Sequence, residues 1–228
     1  LPNRLVSEEL TPNLWQLAMG GGWNPKGGRA VLSTATYPNH ATFATGRLPK
    51  SHGIFVNKVW DNEKFTIASS IGPTGDTIFL AANRGKLSTA VVVGDHHLIG
   101  VMGAESADIF WPPGGKRADV DLDEFRYASN SAVLEAIDNI DLVSADFSVV
   151  HFNEPDTVSH IHGPDAEETK FRVKETDDAL GELINRLQPG WDDTVLIVVS
   201  DHDQEYVVEY GFDLAESLNN RGLPGLVE

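Results

Sequence analysis

No cysteine occurs among the 228 residues of this chain. Disulfide staples and thiolate metal sites are thereby excluded, so any transition-metal ligands must be imidazoles and carboxylates. Basic residues are also scarce. Against 34 Asp and Glu stand 17 Lys and Arg, a formal net charge of −17. That balance argues against tracking along nucleic-acid phosphates and against binding anionic membrane surfaces. Long apolar runs are missing too: none approaches the roughly 18 residues of a membrane span. Nor does the start carry a basic segment followed by an apolar one. The compartment therefore stays open between cytoplasmic and exported after processing, and the oligomeric state is not addressed by these features.

What is present is ordinary globular content. Hydrophobic residues make up 41%, enough to bury a sizeable core in a single α/β domain over 1–228, with or without an insertion. Short runs rich in Val, Ile, Leu and Phe predict strands over 29–34, 89–94, 146–152 and 194–200, buried on both faces. A helix is expected over 12–19, with Thr11 as N-cap and Pro12 at its first position. Segment 166–188 is the clearest helix, with Phe171, Leu180, Leu183, Ile184 and Leu187 read as one face and Pro189-Gly190 as its stop. Further helices are expected over 129–139 and 213–221. Region 57–86 and the tract Trp111-Pro112-Pro113-Gly114-Gly115 read as irregular, and 57–128 as a candidate loop or cap region. Strands alternating with helices predict a mostly parallel central sheet with helices on both faces.

In such sheets ligands gather at the carboxyl ends of the strands, and several polar groups fall there. Thr36 follows the first run, within Thr36-Tyr37-Pro38-Asn39-His40 and before a short helix, 39–45, that closes on Gly46. A threonine hydroxyl attacks well only when a metal or base lowers its pKa, and free N–H groups at the helix start offer an anion seat. The plain alternative is an N-cap threonine. Asp156-x-x-x-His160 and Asp201-His202 each join a carboxylate to an imidazole, ligands that suit zinc, manganese or iron. Singly, the first reads as a surface turn and the second as a backbone-satisfied histidine. Two such pairs behind buried strands, with Thr36 upstream, point to two-metal phosphoryl transfer. Asp95-His96-His97 is a weaker metal candidate, since adjacent histidines on a loop usually point apart. His151 reads as core or as support for the site, and the acidic run 119–124 as a solvated face.

At this point a family pattern is visible. Thr36-Tyr37-Pro38-Asn39-His40, then Thr45-Gly46-x-x-Pro49-x-x-His52-Gly53-Ile54-x-x-Asn57, closely resembles the nucleotide pyrophosphatase/type I phosphodiesterase branch of the alkaline phosphatase superfamily. Glu154-Pro155-Asp156-x-x-x-His160-x-x-Gly163-Pro164 and Ser200-Asp201-His202 match its metal motifs in order. The resemblance runs from about Thr11 to about Asp203 and implies an alkaline phosphatase-like α/β sandwich with two divalent ions, zinc or alternatively manganese. It implies that Thr36 is the nucleophile, transiently phosphorylated, and that Asn57 holds a phosphoryl oxygen with help from the N–H that follows Thr36. Asp156 and His160 would then ligate one metal, Asp201 and His202 the other. The expected substrate is a small phosphate ester or nucleotide, cleaved at a phosphodiester or pyrophosphate bond. Sulfatases of the superfamily are set aside by Thr36 and by the lack of their following arginine.

The pattern also departs in places. The family has an Asp-Gly turn at its first strand and a final histidine well past the second metal pair, and neither lies within 1–228. Each metal half is short of one ligand here, which implies a domain trimmed at both ends rather than a degenerate, non-catalytic one. Asp203-Gln204 stands after His202 where the family often has Gly-Met, beside the metal. The alternative within the enzyme class is phosphonoacetate hydrolase, which uses the same threonine and metals on a carbon–phosphorus bond. Lys58 and Lys64 are too generic to favour it.

Overall fold

The computed structural model describes residues 3–60, 63–206 and 214–222. Its first helix, α1 (Pro12–Gly20), begins after Thr11, but Thr11 does not cap it. The Thr11 hydroxyl donates to the Ser7 carbonyl at 3.1 Å and accepts from the Ser7 N–H at 3.0 Å. The open N–H groups of Asn13 and Leu14 go instead to the carboxylate of Asp177, at 2.9 and 2.8 Å. A buried acid more than a hundred residues away thus does the work expected of the local cap.

Helix α2 (Thr36–Thr45) starts at Thr36 rather than at 39 and ends on Gly46, whose φ of 63° is the left-handed value that favours glycine. Helix α3 (Pro49–His52) follows, then an antiparallel hairpin of β1 (Lys58–Trp60) and β2 (Phe65–Ile67). Helix α4 (Ile78–Gly85) is capped by Thr77, which accepts from the Leu80 N–H. The remaining described strands and α-helices are β3 (Thr89–Val93), α5 (His97–Met102), β4 (Ile109–Trp111), α6 (Asn130–Ile137), β5 (Phe147–His151), α7 (Asp156–His162), α8 (Glu167–Leu187) and α9 (Leu214–Asn220).

Strands β4, β3 and β5 form a parallel sheet in that order. All five residues of β3 are buried, so its alternating side chains feed two cores. Val91 and Val93 join Phe79, Leu98, Ile99 and Val101 on one face. Ala90 and Val92 join Val133, Ile137, Leu183 and Leu187 on the other. Each buried valine contributes roughly 1.5–3 kcal/mol of transfer energy, and a central strand gathers that from both sides. Helices α2, α4 and α5 cover the first face, α6 and α8 the second, which is the expected α/β sandwich.

Three further expectations need correction. The runs 29–34 and 194–200 are not strands in the described structure. A strand exists only through ladder partners, and neither run belongs to a ladder of the described sheets. Accordingly Val195 and Ile197 are 86% and 76% exposed, where burial on both faces was expected. Phe171 is exposed as well. It lies nine residues before Leu180, and at about 100° per residue that places it on the opposite side of α8 from the buried leucines. Finally, the region read as irregular holds the hairpin and α4, and Trp111 ends β4.

Because β3 and β5 are parallel, with Val93 beside His151, the segments leaving them emerge at one edge of the sheet. Asp95 and the Asn153–Asp156 turn both lie there.

Candidate active site

Thr36 occupies the first position of α2, after Ala35 in extended conformation. Its hydroxyl lies 3.2 Å from His202 Nε2. The His202 Nδ1 is 3.1 Å from the Asp203 carbonyl, and a carbonyl can only accept, so Nδ1 carries the proton there. In the neutral ring Nε2 is therefore the acceptor and the Thr36 hydroxyl donates to it. Behind Thr36, His40 Nδ1 donates to the Thr36 carbonyl at 2.9 Å. Burial pushes the His40 pKa down, the nearby Asp201 carboxylate offsetting part of that.

Asn57 precedes the hairpin, and its carbonyl closes it by accepting from the Ala68 N–H at 3.0 Å. Its side-chain Oδ1 accepts from the Tyr37 N–H, also at 3.0 Å. This corrects two expectations. The N–H after Thr36 was expected to point at a bound anion and is instead spent on Asn57. Pro38 has no N–H, so neither the second nor the third position of α2 offers a free N–H to the anion seat read from the sequence. The same bond fixes the Asn57 amide, since only its oxygen can meet an N–H, leaving Nδ2 as a donor.

The four expected ligands are linked to one another by short contacts, and His202 among them reaches the same hydroxyl. On α7, Asp156 Oδ2 lies 3.6 Å from His160 Nε2, one helical turn on. Asp201 Oδ2 and Asp156 Oδ1 lie 3.5 and 4.0 Å from His202 Nε2. Two tetrahedral zinc ligands at about 2.0–2.1 Å from the ion sit about 3.4 Å apart. These separations therefore fit carboxylate and imidazole donors of divalent cations, with the Thr36 oxygen alongside. Six residues from four separate stretches of sequence converge: Thr36, Asn57, Asp156, His160, Asp201 and His202.

Other residues at this edge were read differently or not at all. Among the described residues, the group with three ligand atoms within 4.8 Å of one another is Asp95, His96 and His97. The two rings do not point apart: their centroids are 4.0 Å from each other. Asp95 nevertheless has a structural task, accepting the His97 N–H at 2.9 Å at the start of α5. His97 Nδ1 is in turn 3.3 Å from Ser69 Oγ. Burial raises the Asp95 carboxyl to about 7, and burial with the neighbouring His97 lowers His96 to about 4. His151 stacks edge-on against His40 at 5.2 Å, and burial takes its pKa down to about 3. Its ring thus packs on the histidine behind Thr36.

The acidic run 119–124 is not merely a solvated face. Asp123 Oδ2 accepts from Asn153 Nδ2 at 2.7 Å and from Thr157 Oγ1 at 2.9 Å, fixing the turn that delivers Asp156. No short-range sequence signal marks this bond, which links residues 30 and 34 apart.

Comparison with known proteins adds to the geometry. The family model described as type I phosphodiesterase / nucleotide pyrophosphatase matches residues 1–223. The chain is 29% identical over 203 residues to ectonucleotide pyrophosphatase/phosphodiesterase family member 1 of Rattus norvegicus, covering 81% of this chain and 20% of that protein. It is 30% identical over 214 residues to venom phosphodiesterase 2 of Crotalus adamanteus, covering 88% and 25%. Among solved structures, an inactive variant of murine ectonucleotide pyrophosphatase/phosphodiesterase 5 in complex with AMP superimposes with a TM-score of 0.60 at 20% identity, over 79% of this chain and 48% of that one. Phosphonoacetate hydrolase of Sinorhizobium meliloti with phosphonoformate gives 0.52 at 19%, over 80% and 49%. These two likenesses establish the fold. The chain spans about a fifth to a quarter of the length of the curated relatives and about half of the structural ones. None of the described helices is long and apolar enough to cross a membrane.

Proposed function

The chain belongs to the type I phosphodiesterase/nucleotide pyrophosphatase family, and from that premise we propose that it forms the catalytic domain of a metal-dependent phosphohydrolase. The substrates are small phosphodiesters or pyrophosphates of the nucleotide type. The observation that carries this reading is the Thr36 hydroxyl 3.2 Å from His202 Nε2, with carboxylates of Asp201 and Asp156 about the same nitrogen. Relatives described as phosphodiesterases, and a structural relative holding AMP, support the substrate class.

In the proposed reaction Thr36 Oγ attacks phosphorus in line, and the proton it gives up ends on the departing oxygen. The Thr36–phosphorus bond forms as the bond to the leaving alcohol or phosphate breaks. Water then cleaves the phospho-threonine, restoring the hydroxyl and releasing the phosphorylated product, with one water consumed overall. Asn57, held by its Oδ1 on the Tyr37 N–H, presents Nδ2 to a non-bridging oxygen, where one such donor is worth roughly 10²–10³ in rate. His40 fixes the first turn of α2 through the Thr36 carbonyl and so orients the nucleophile. Asp156 with His160, and Asp201 with His202, would hold two divalent ions, zinc or alternatively manganese, which when bound supply positive charge to the reacting oxygens.

The test is Thr36→Ala in the full-length protein. Turnover of an aryl phosphodiester is expected to fall by roughly 10³-fold or more with zinc content unchanged. Full turnover in that variant overturns the nucleophile assignment. Phosphonoacetate run beside the phosphodiester tests the bond class: preferential cleavage of its carbon–phosphorus bond would replace this reading with that of a phosphonate hydrolase.

A further inference from the structure

Resting on that reading, we propose that Gln204 is a positioning residue that confines Asp156 to the cation on the His160 side of the centre. Gln204 Nε2 donates to Asp156 Oδ1 at 2.6 Å, and its Oε1 accepts from Ser159 Oγ at 2.5 Å. The Asp156 carbonyl lies 3.0 Å from the same Ser159 Oγ, a second acceptor for its one hydrogen. One side chain thereby ties the Asp201–His202 segment to two positions of α7, 45 and 48 residues away in sequence.

The geometry gives this tie a direction. Of the two Asp156 oxygens, Oδ1 faces His202 Nε2 at 4.0 Å and Oδ2 faces His160 Nε2 at 3.6 Å. The amide occupies Oδ1, the oxygen that would otherwise be shared with the Asp201–His202 cation. Oδ2 is left as a single-oxygen ligand beside His160. An amide meets this need, because the position requires a donor toward the carboxylate and an acceptor toward the serine on the same terminal group. A glutamate would set anion against anion, and an apolar residue would leave the Asp156 carboxylate free to rotate. Outer contacts of this kind typically govern metal affinity by 10–100-fold.

Zinc titration of the metal-free, full-length protein by calorimetry tests the proposal, with His160→Ala used to identify the binding event on the His160 side. In Gln204→Leu that event is expected to weaken by about 10–100-fold while the other stays within about twofold, and saturating zinc restores most of the turnover. Gln204 is only half-buried, so the fold tolerates the change. Ser159→Ala, which keeps the Asp156 contact but frees the far end of the amide, is expected to weaken the same event less. Unchanged zinc binding in Gln204→Leu, beside a wild type that binds zinc normally, overturns the role of Gln204 and leaves the proposed function standing. A wild type that takes up no zinc overturns both.

Discussion

A carboxyl group pays heavily for burial, and Asp95 shows the cost most clearly. Withdrawal from water lifts its pKa to about 7, against the smaller lowering effects of the His97 N–H and the Tyr37 hydroxyl; Asp123 and Asp156 add repulsion. In the unfolded chain the same group titrates near 3.9. Between those values the folded state keeps a proton that the unfolded state has released. Its stabilising contribution is thus fully present below about pH 4 and is lost as pH rises through about 7, with a slope of up to about 1.4 kcal/mol per pH unit. Asp95→Asn imitates the protonated form and should remove that slope. Urea unfolding of the metal-free protein at pH 5 and pH 8 measures it: relative to wild type, the variant is expected to be more stable at pH 8 than at pH 5. An equal difference at both values would mean that Asp95 titrates normally. From sequence this residue read as a weak metal candidate; its role in starting α5 depends on a hydrogen bond two residues long and was open to a closer reading.

At the scale of elements, legibility followed the range of the interactions involved. Helices over 12–19, 129–139, 166–188 and 213–221 were readable because their periodicity and stop signals are local, and α1, α6, α8 and α9 appear within a residue or two of those bounds. The strands β3 and β5 were readable as apolar runs. The runs 29–34 and 194–200 were misread because a ladder is a property of two segments, and composition reports only one. The three-residue β4 is too short to carry a pattern of its own. The candidate site residues were legible as ordered motifs, yet the bonds that position them, from Asp123 to Asn153 and from Gln204 to Asp156, are tertiary. Asp177 belongs to the same class. Its carboxylate caps α1 through two N–H groups and also takes the Asn13 amide at 3.0 Å, at the point where Gly181 lets Asn13 approach α8: a Cβ there would lie 2.8 Å from the Asn13 side chain. Asp177→Ala should therefore lower stability by about 1–3 kcal/mol, and Asp177→Asn by less because one acceptor survives. Thermal unfolding with both variants checks this, and a loss under about 0.5 kcal/mol in the alanine variant, the ordinary surface level, would show that α1 is held by packing alone.

At the scale of the whole molecule, the charge of −17 works against the anionic substrates proposed for it. Positive charge from the proposed ions would act locally, whereas the acidic surface acts over a distance set by salt. The screening length shrinks from about 30 Å at 0.01 M to about 8 Å at 0.15 M ionic strength. Across that range repulsion during approach fades while contacts inside the site change little. Hence kcat/KM should rise with salt, and should rise more for a nucleoside triphosphate than for a singly charged aryl phosphodiester, since the repulsive work scales with substrate charge. A neutral salt series on the two substrates, with zinc held saturating, separates the surface from the site. If kcat/KM instead falls with salt, most steeply for the more highly charged substrate, attraction at the centre already governs approach and the acidic surface is a matter of solubility alone.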